Sequence, residues 1–417
     1  MKYIYKKLKT IWWRIKSVGA MHYYGNPSKK LKIVGVTGTN GKTTTVTLLY
    51  KIATALGYKA GLISTVENII PTATAGQAGE KRGATHTTPD SVTLTKLLRE
   101  MVDRGCEYAF MEVSSHAMDQ NRVAGINFAG GIFTNLTHDH LDYHKNFDNY
   151  FNAKRKFFLM LPEGAFALTN VDDERGVAML EGIRARKYTY GFSNKADFNE
   201  KLDTKLLGNF NAYNVLAVYG AAVLLGLNKP ARNATHSVAG EEKIKEILKN
   251  VTPPRGRFEH FTSASGVIVI VDYAHTPDAL ENVLRAVKDM RNGNSNSPEA
   301  SKLISVFGCG GDRDPLKRKI MGKIGAKNSD VAIFTSDNPR SEDPEKIISE
   351  MKADLTDELL KKVKTIPNRR EAITEAVKIA QSGDIILCAG KGHEDYQEIK
   401  GVKHHFDDIE EFKKLYS

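Results

Sequence analysis

Cysteine is scarce in this sequence: Cys106, Cys309 and Cys388 are the only three in 417 residues, odd in number and far apart. That excludes a disulfide framework and a four-cysteine zinc site, and it points to a reducing compartment. Long apolar runs are missing as well. No stretch of eighteen apolar residues exists, so no segment reads as a membrane-spanning helix. Nor does a small-residue cleavage site follow an apolar core near the start, so we read no secretory signal and expect a cytoplasmic protein. Acidic residues are outnumbered, 49 against 60 basic, for a formal net charge of +11. The excess is diffuse apart from the first thirty residues, and no nucleic-acid motif accompanies it. The expected partners are therefore anionic small molecules and not nucleic acid. What remains is ordinary globular composition, 41% hydrophobic and 26% charged, with length for two or three domains.

Residues 3–24, YIYKKLKTIWWRIKSVGAMHYY, place Ile4, Leu8, Ile11, Ile15 and Val18 on one helical face. Lys6, Lys7, Lys9, Arg14 and Lys16 surround that face, with Trp12 and Trp13 between them. Such a helix can lie on an anionic membrane surface, at the inner face of a bilayer, or pack on its own domain or a partner. GNPSKK then reads as a linker.

From Leu31 strands and helices alternate: LKIVGVTG, a helix to Gly57, AGLIST, a helix SVTLTKLLREMVDRG, and YAFMEVSS. The pattern restarts with VIVIVDYAH, the helix DALENVLRAVKDM, KLISVFG, VAIFTSD and DIILCAG. This alternation predicts α/β architecture with parallel sheets whose ligands sit at the polar, glycine-rich strand ends. A domain boundary is expected near TPPRGRFE (252–259), and a surface loop at 291–300.

One stretch, GVTGTNGKTTT (35–45), looks like a phosphate-binding loop that miscounts, because Gly35 is one residue too far from Gly41. Its working part, GTNGKT, still follows a strand and opens a helix. Gly38 and Gly41 let backbone N–H groups approach phosphate, Lys42 supplies a cation, and Thr43 or Thr44 a hydroxyl for magnesium. Glu112 ends an apolar strand, a suitable place for a magnesium ligand. NLTHDHLDYH and YFNAKRKFF follow, dense enough in His and Asp to suit a metal site. By spacing alone those histidines serve equally well as helix caps or core hydrogen bonders.

Ten motifs occur in order: GVTGTNGKTTT, TTPD, MEVSSHAMDQNRV, FTNLTHDHLDYH, GNFNAYN, RGRFE, DYAHTPDAL, FGCGGDRDPLKR, SDNPR and GKGHEDYQ. Together they resemble the Mur ligases over about residues 31–410. Beside the basic N-terminal helix and linker (1–30), the resemblance implies a central P-loop ATPase domain (31–252) and a C-terminal Rossmann-like domain (253–417). It implies ATP-dependent joining of an amino acid to a muramoyl peptide through an acyl phosphate, with Mg2+ as cofactor, ATP as substrate and a monomeric enzyme. Gly38, Thr39, Asn40, Gly41, Lys42, Thr43 and Thr44 would then hold the ATP phosphates, with Asn211, Asn214, Arg257 and Asp272 near the rest of the nucleotide. Thr43, Glu112, His140 and a carbamylated Lys154 would serve magnesium, and Lys42, Glu112, His140 and Lys154 would be the catalytic set. Thr87, Thr88, Ser114, Gln120 and Arg122 would contact the muramoyl dipeptide, although Thr87 and Thr88 also suit helix capping before Pro89. Arg313, Asp337, Asn338, Arg340, Gly390 and Glu394 match the amino-acid pocket, and DNPR accompanies meso-diaminopimelate in that family.

The sequence departs from the family in two places. Only about thirty residues precede the ATP loop where relatives carry a uridine-binding domain, and the stretch between residues 198 and 205 is short. A different carrier for the acceptor, a polyglutamate-type ligase or a noncatalytic nucleotide-binding subunit are the alternative readings.

Overall fold

The computed structural model describes residues 2–72, 79–84, 86–137, 139–193, 195–228, 240–293 and 301–417, with side chains from Leu8 onward. It divides into two compact units, Met1–Leu206 with Asn211–Thr252, and Leu207–Phe210 with Pro253–Ser417.

The first unit is built on eight strands: β1 (Lys32–Thr37), β2 (Ala60–Ile63), β3 (Glu67–Ile70), β4 (Glu80–Gly83), β5 (Tyr108–Glu112), β6 (Phe128–Phe133), β7 (Phe166–Asn170) and β8 (Arg186–Tyr190). Their order is β4-β3-β2-β5-β1-β6-β7-β8. Pairing is parallel from β2 through β8, and β3 and β4 add an antiparallel edge. The central strands are apolar on both faces because helices cover both. Alternate residues divide accordingly. Ile33, Met111 and Phe133 join the core that holds Phe157 and Leu98. Val34, Val36 and Phe110 join the one that holds Leu49 and Val215. Val36 lies opposite Glu112, so the loop leaving β1 and the acid ending β5 emerge together at the carboxyl end of the sheet.

A helix at Lys2–Tyr23 precedes β1 and packs on the helix Ser91–Asp103. Thr10, Trp13, Ser17, Ala20 and Met21 line its docking side, Met21 meeting Thr95 of that helix and Thr10 and Ser17 meeting Asn121 in the turn after Ser115–Asp119. Ser17 Oγ donates to Asn121 O at 2.7 Å, Asn121 Nδ2 to Thr10 O, and Thr95 Oγ1 to Met21 Sδ. The apolar face predicted from sequence is not the one that packs: Leu8, Ile11 and Ile15 face outward, and Val18 sits half-buried at the edge of the contact. The linker that follows contains a short 3-10 turn, Pro27–Lys29, with Pro27 and Ser28 buried.

The second unit has β9 (Glu259–Thr262), β10 (Ile268–Asp272), β11 (Leu303–Phe307), β12 (Val331–Phe334), β13 (Val363–Thr365) and β14 (Ile385–Ala389). They run in the order β13-β12-β11-β14-β10-β9, parallel except for β9. β15 (Tyr396–Ile399) and β16 (Val402–His405) form a hairpin. The loops leaving β10, β11, β12 and β14 emerge at the carboxyl end of the sheet, the usual place for a ligand in a doubly wound sheet. Part of the loop expected at 291–300 is helical: Arg291 to Gly293 end the helix Pro277–Gly293. Residues 294–300 lie outside the described residues, as do Thr85 and His138.

Candidate active site

The loop after β1 is constrained at both glycines. Gly38 has φ 154° and Gly41 φ 83°, and a Cβ would come within 1.9 Å of Thr134 Oγ1 at the first and 2.3 Å of Asn214 Oδ1 at the second. Only glycine fits such a backbone against such neighbours. Gly41 caps the helix Lys42–Ala55, whose first-turn amides and dipole favour an anion at that end. Lys42 Nζ donates to Gly38 O and Thr39 O, so its cation lies over the loop. Thr44 is buried in the first turn.

Segment 134–137, following β6, secures the loop from the far side. Asn40 N donates to Asn135 Oδ1, Thr134 Oγ1 donates to Asn40 O, and Thr39 N donates to Asn135 O. Thr39 Oγ1 pairs with Tyr150 OH at 3.1 Å. Asn211 and Asn214, one turn apart on the helix Asn209–Leu224, are hydrogen-bonded to each other, and Asn214 packs on Gly41.

Glu112 is fully buried and accepts three hydrogen bonds, from Thr43 Oγ1 at 2.9 Å, Thr65 N at 2.7 Å and Thr65 Oγ1 at 3.1 Å. Thr65 Oγ1 also lies 3.1 Å from Thr87 Oγ1, whose hydroxyl can donate to it. Thr88 Oγ1 donates to Glu112 O and accepts from Ser114 N. Arg122 Nη1 donates to Thr88 O, while its Nε and Nη2 both reach Gln120 Oε1. Burial lowers the proton affinity of Arg122. Thr43, Glu112, Thr87, Thr88, Ser114, Gln120 and Arg122 thus belong to one connected network, with Thr65 as a junction that sequence reasoning missed. Thr87 and Thr88 do not cap the next helix; Asp90 does, accepting from Val92 N and Thr93 N.

Lys154 is buried, with Nζ donating to Gly38 O at 2.6 Å and lying over the Tyr150 ring. Burial first, and repulsion from Lys42 second, push its pKa well below the ordinary lysine value, with Asp139 opposing. His140 has a left-handed backbone (φ 54°) and Nε2 at 3.3 Å from Asp139. Its pKa falls to about 4, chiefly by desolvation, against the pull of Asp139 and with repulsion from His116, Lys154 and Lys42. A neutral imidazole at neutral pH leaves a nitrogen lone pair for a metal. The His116 and His140 rings meet edge to face at 4.9 Å, a partner the sequence did not single out. His144 bonds Ser115 Oγ and packs on Tyr150, so it is a core hydrogen bonder. Among the described residues no three or more His, Cys, Asp or Glu converge on a metal position. A candidate magnesium set therefore draws on the hard oxygen donors Thr43 and Glu112, on neutral His140, and on Lys154 only if it becomes anionic.

In the second unit Arg340 takes a left-handed backbone (φ 51°) and sends Nη1 to Gly311 O at 2.8 Å, with Nε 3.5 Å from Glu398. Asn338 donates to the Glu394 carboxylate (Oε2) at 2.8 Å and accepts from the backbone N of Glu398. Burial, then Asp337, raise the Glu394 pKa, while Lys391 opposes. Lys391 itself is fully buried, with Nζ on Glu394 Oε2 and on Tyr396 O. At Gly390 (φ 113°) a Cβ would touch Asp337 Oδ2 at 3.1 Å. Arg313 is exposed near Gly310, which also neighbours Arg340 Nη1. Asp337, Asn338, Arg340, Gly390 and Glu394 are brought together, and Tyr273, Lys391 and Gln397 join them unforeseen.

Asp272 is buried and accepts from Phe258 N and Ala274 N; burial raises its pKa to about 6, with the Arg257 charge and those two hydrogen bonds opposing. Its carboxylate holds the Arg257–Phe258 turn, where Phe258 has φ 54°, and Arg257 stacks on Tyr273.

Residues 36–222 match the Mur ligase middle domain, and residues 256–392 match the Mur ligase glutamate ligase domain. A UDP-N-acetylmuramoyl-L-alanyl-D-glutamate--2,6-diaminopimelate ligase from Cytophaga hutchinsonii is 50% identical over 413 residues, covering 95% of this chain and 80% of that protein. The protein of the same name from Bacteroides thetaiotaomicron is 49% identical over 415 residues, at 95% and 81% coverage. A solved structure of a ligase of that name superposes with a TM-score of 0.62 at 30% identity, covering 97% of this chain and 82% of the other. Both domain descriptions match, and the relatives are half identical along almost the whole chain: it belongs to the Mur ligase family.

Proposed function

We propose that the chain is an ATP-dependent carboxylate–amine ligase joining meso-diaminopimelate to the terminal carboxylate of UDP-N-acetylmuramoyl-L-Ala-D-Glu. Both curated relatives bear the name of that ligase. A carboxylate oxygen attacks the γ-phosphorus of ATP, the bond to the β,γ-bridging oxygen breaks, and ADP leaves. The amine nitrogen then attacks the acyl carbon, and the tetrahedral adduct expels phosphate as the amine proton passes to solvent. The protein's task is alignment and charge neutralisation. The amides of Gly38–Thr44 and the Lys42 ammonium receive the phosphates. Asn211 and Asn214 flank the nucleotide on the first unit. Thr87, Thr88, Ser114, Gln120 and Arg122 orient the muramoyl dipeptide.

Lys154 is the residue whose state decides the site. A buried amine with a weak hold on its proton is a nucleophile, and addition of carbon dioxide gives a carbamate and one released proton. Thr43, Glu112, His140 and the Lys154 carbamate would hold magnesium, which when bound offsets the charge of the transferring phosphoryl group.

The observation that carries amino-acid choice is the Arg340, Asn338 and Glu394 cluster. Asn338 links Glu394 to the strand of Glu398, which faces Arg340; a guanidinium and a carboxylate held in one cluster would complement a zwitterionic end, and the distal carboxylate of diaminopimelate is what lysine lacks. The test is phosphate release with ATP, magnesium and UDP-N-acetylmuramoyl-L-Ala-D-Glu, with meso-diaminopimelate or L-lysine added in parallel. Turnover with diaminopimelate alone supports the reading. Turnover with L-lysine alone overturns the role of Arg340, and none with either overturns the acceptor.

A further inference from the structure

The helix Lys2–Tyr23 has two faces, and only one is used by the first unit. Thr10, Trp13, Ser17, Ala20 and Met21 dock it. Diametrically opposite, Leu8, Ile11, Trp12 and Ile15 follow the three-and-four spacing of a single stripe and stand 60%, 48%, 58% and 65% exposed. Four large apolar side chains on one exposed helical ridge exceed the scattered apolar residues that any surface carries.

The charge around the stripe is of one sign. Lys9 and Lys16 border one edge and Arg14 the other, all exposed. Lys9 lies over the Trp13 ring and Lys16 over the Trp12 ring. Lys16 also acts on Asp90, the cap of the neighbouring helix, which leaves Lys9 and Arg14 as the less compensated pair. The first acidic residue of the whole chain is Glu67. The helix has no acid in its first turn. An apolar ridge with tryptophan at its margin and basic side chains along both edges matches the depth profile of a bilayer interface, where long basic side chains reach up to phosphates.

We propose that the outward face of this helix, Leu8, Ile11, Trp12 and Ile15 rimmed by Lys9, Arg14 and Lys16, seats the first unit on an anionic lipid surface. The helix lies in the interface and does not cross it: no helix among the described residues is long and apolar enough to span a bilayer. This proposal is independent of the ligase reading.

The chain carries its own reporter, because Trp12 and Trp13 are its only tryptophans. Trp13→Phe leaves Trp12, on the proposed contact face, as the sole probe. The chain is mixed at low salt with vesicles of phosphatidylcholine alone or of phosphatidylcholine and phosphatidylglycerol in equal parts. The expected result is a blue shift of Trp12 emission, and its quenching by brominated acyl chains, with the anionic vesicles only. Partitioning should fall about fivefold for each of Lys9→Gln and Arg14→Gln. It should fall at least about tenfold when Leu8, Ile11 and Ile15 are all changed to serine, exposed changes that leave the unfolding midpoint in place. Absence of any shift with anionic vesicles overturns the proposal, as does undiminished partitioning of the triple-serine variant. A shift that depends on protein concentration without vesicles, with dimers by sedimentation, overturns it in favour of a second copy. Equal binding to soluble polyglutamate and to vesicles would assign the face to an acidic protein instead.

Discussion

Removing Arg369 should unfold the second unit more easily, and removing its partner as well should restore most of the loss. Arg369 and Asp408 form an ion pair in which both side chains are fully buried. Nε and Nη2 reach the two carboxylate oxygens at 2.8 and 2.7 Å, while Nη1 and Nη2 donate to Ser336 O and Ala389 O at 3.4 and 3.2 Å. Those carbonyls immediately precede Asp337 and Gly390, so the guanidinium ties together the strand ends that carry the proposed amino-acid pocket. Arg369→Leu leaves a carboxylate in the core with no cation, a loss of about 3–5 kcal/mol. In a unit of this size each kcal/mol moves the midpoint by about 2–4 °C, so calorimetry should show a fall of roughly 10 °C. Arg369→Leu with Asp408→Leu removes the stranded charge and should recover all but about 1–2 kcal/mol, the share of the two long carbonyl bonds. In that double variant the KM for the amino acid should rise more than kcat falls, because the strand ends are loosened and the chemistry is not touched. If the double variant proves as unstable as the single, the pair is not the unit of stability and the reasoning fails.

Arg340→Ala should cut kcat/KM for meso-diaminopimelate by about ten- to a hundredfold through loss of a charged hydrogen bond, while the rate with L-lysine stays level; an equal fall with both amino acids would mean a structural defect. Thr65→Val deletes a donor to Glu112 Oε2 and the link to Thr87. It should lower kcat by about tenfold, on the order of one lost hydrogen bond to a charged group, with the unfolding midpoint nearly unchanged. Gly41→Ala places a methyl on Asn214 in a left-handed backbone, so calorimetric titration should find no ATP binding in a protein still folded at room temperature. Lys154→Arg keeps the charge but cannot take up carbon dioxide, and its turnover should stay at background in added bicarbonate, whereas the parent chain should gain activity after bicarbonate is restored to depleted buffer.

The strands whose apolar runs are buried on both faces, β1, β5, β10, β11 and β14, were legible because nothing but a covered parallel strand explains such runs. The edges were not. β4 reads EKRG and β16 reads VKHH, exposed almost throughout, so their pairing comes from the neighbouring strand and leaves no periodic signal. β6 hid for a different reason. Its FAGGIF has glycines because the rings of Phe166 and Phe157 occupy the space where side chains at Gly130 and Gly131 would stand. Apolar area supplied by a neighbour leaves the strand itself looking like a turn.

The same distinction runs through the site. Lys42 and Glu112 announce themselves because a charge beside a glycine loop or at a strand end has few other uses, whereas Lys154, inside the helix Phe147–Leu159, and Arg340 were legible only through the family motifs. Thr65, Tyr150 and Lys391 matter only through what a distant segment brings to them, and a lone threonine or tyrosine in a sequence carries no trace of that. The N-terminal helix reverses the lesson. Its apolar spacing was plain, but spacing shows only that a face exists and not what covers it. The docking side turned out to be the mixed one, with Thr10 and Ser17 spending their polar atoms on Asn121, and the purer apolar face was left to water. A helix held by its less apolar side is oriented by those hydrogen bonds and not by hydrophobic burial, which would have turned it over. The outward stripe therefore costs the isolated unit free energy that some other surface must offset, and that imbalance is the physical reason to look for a lipid interface there.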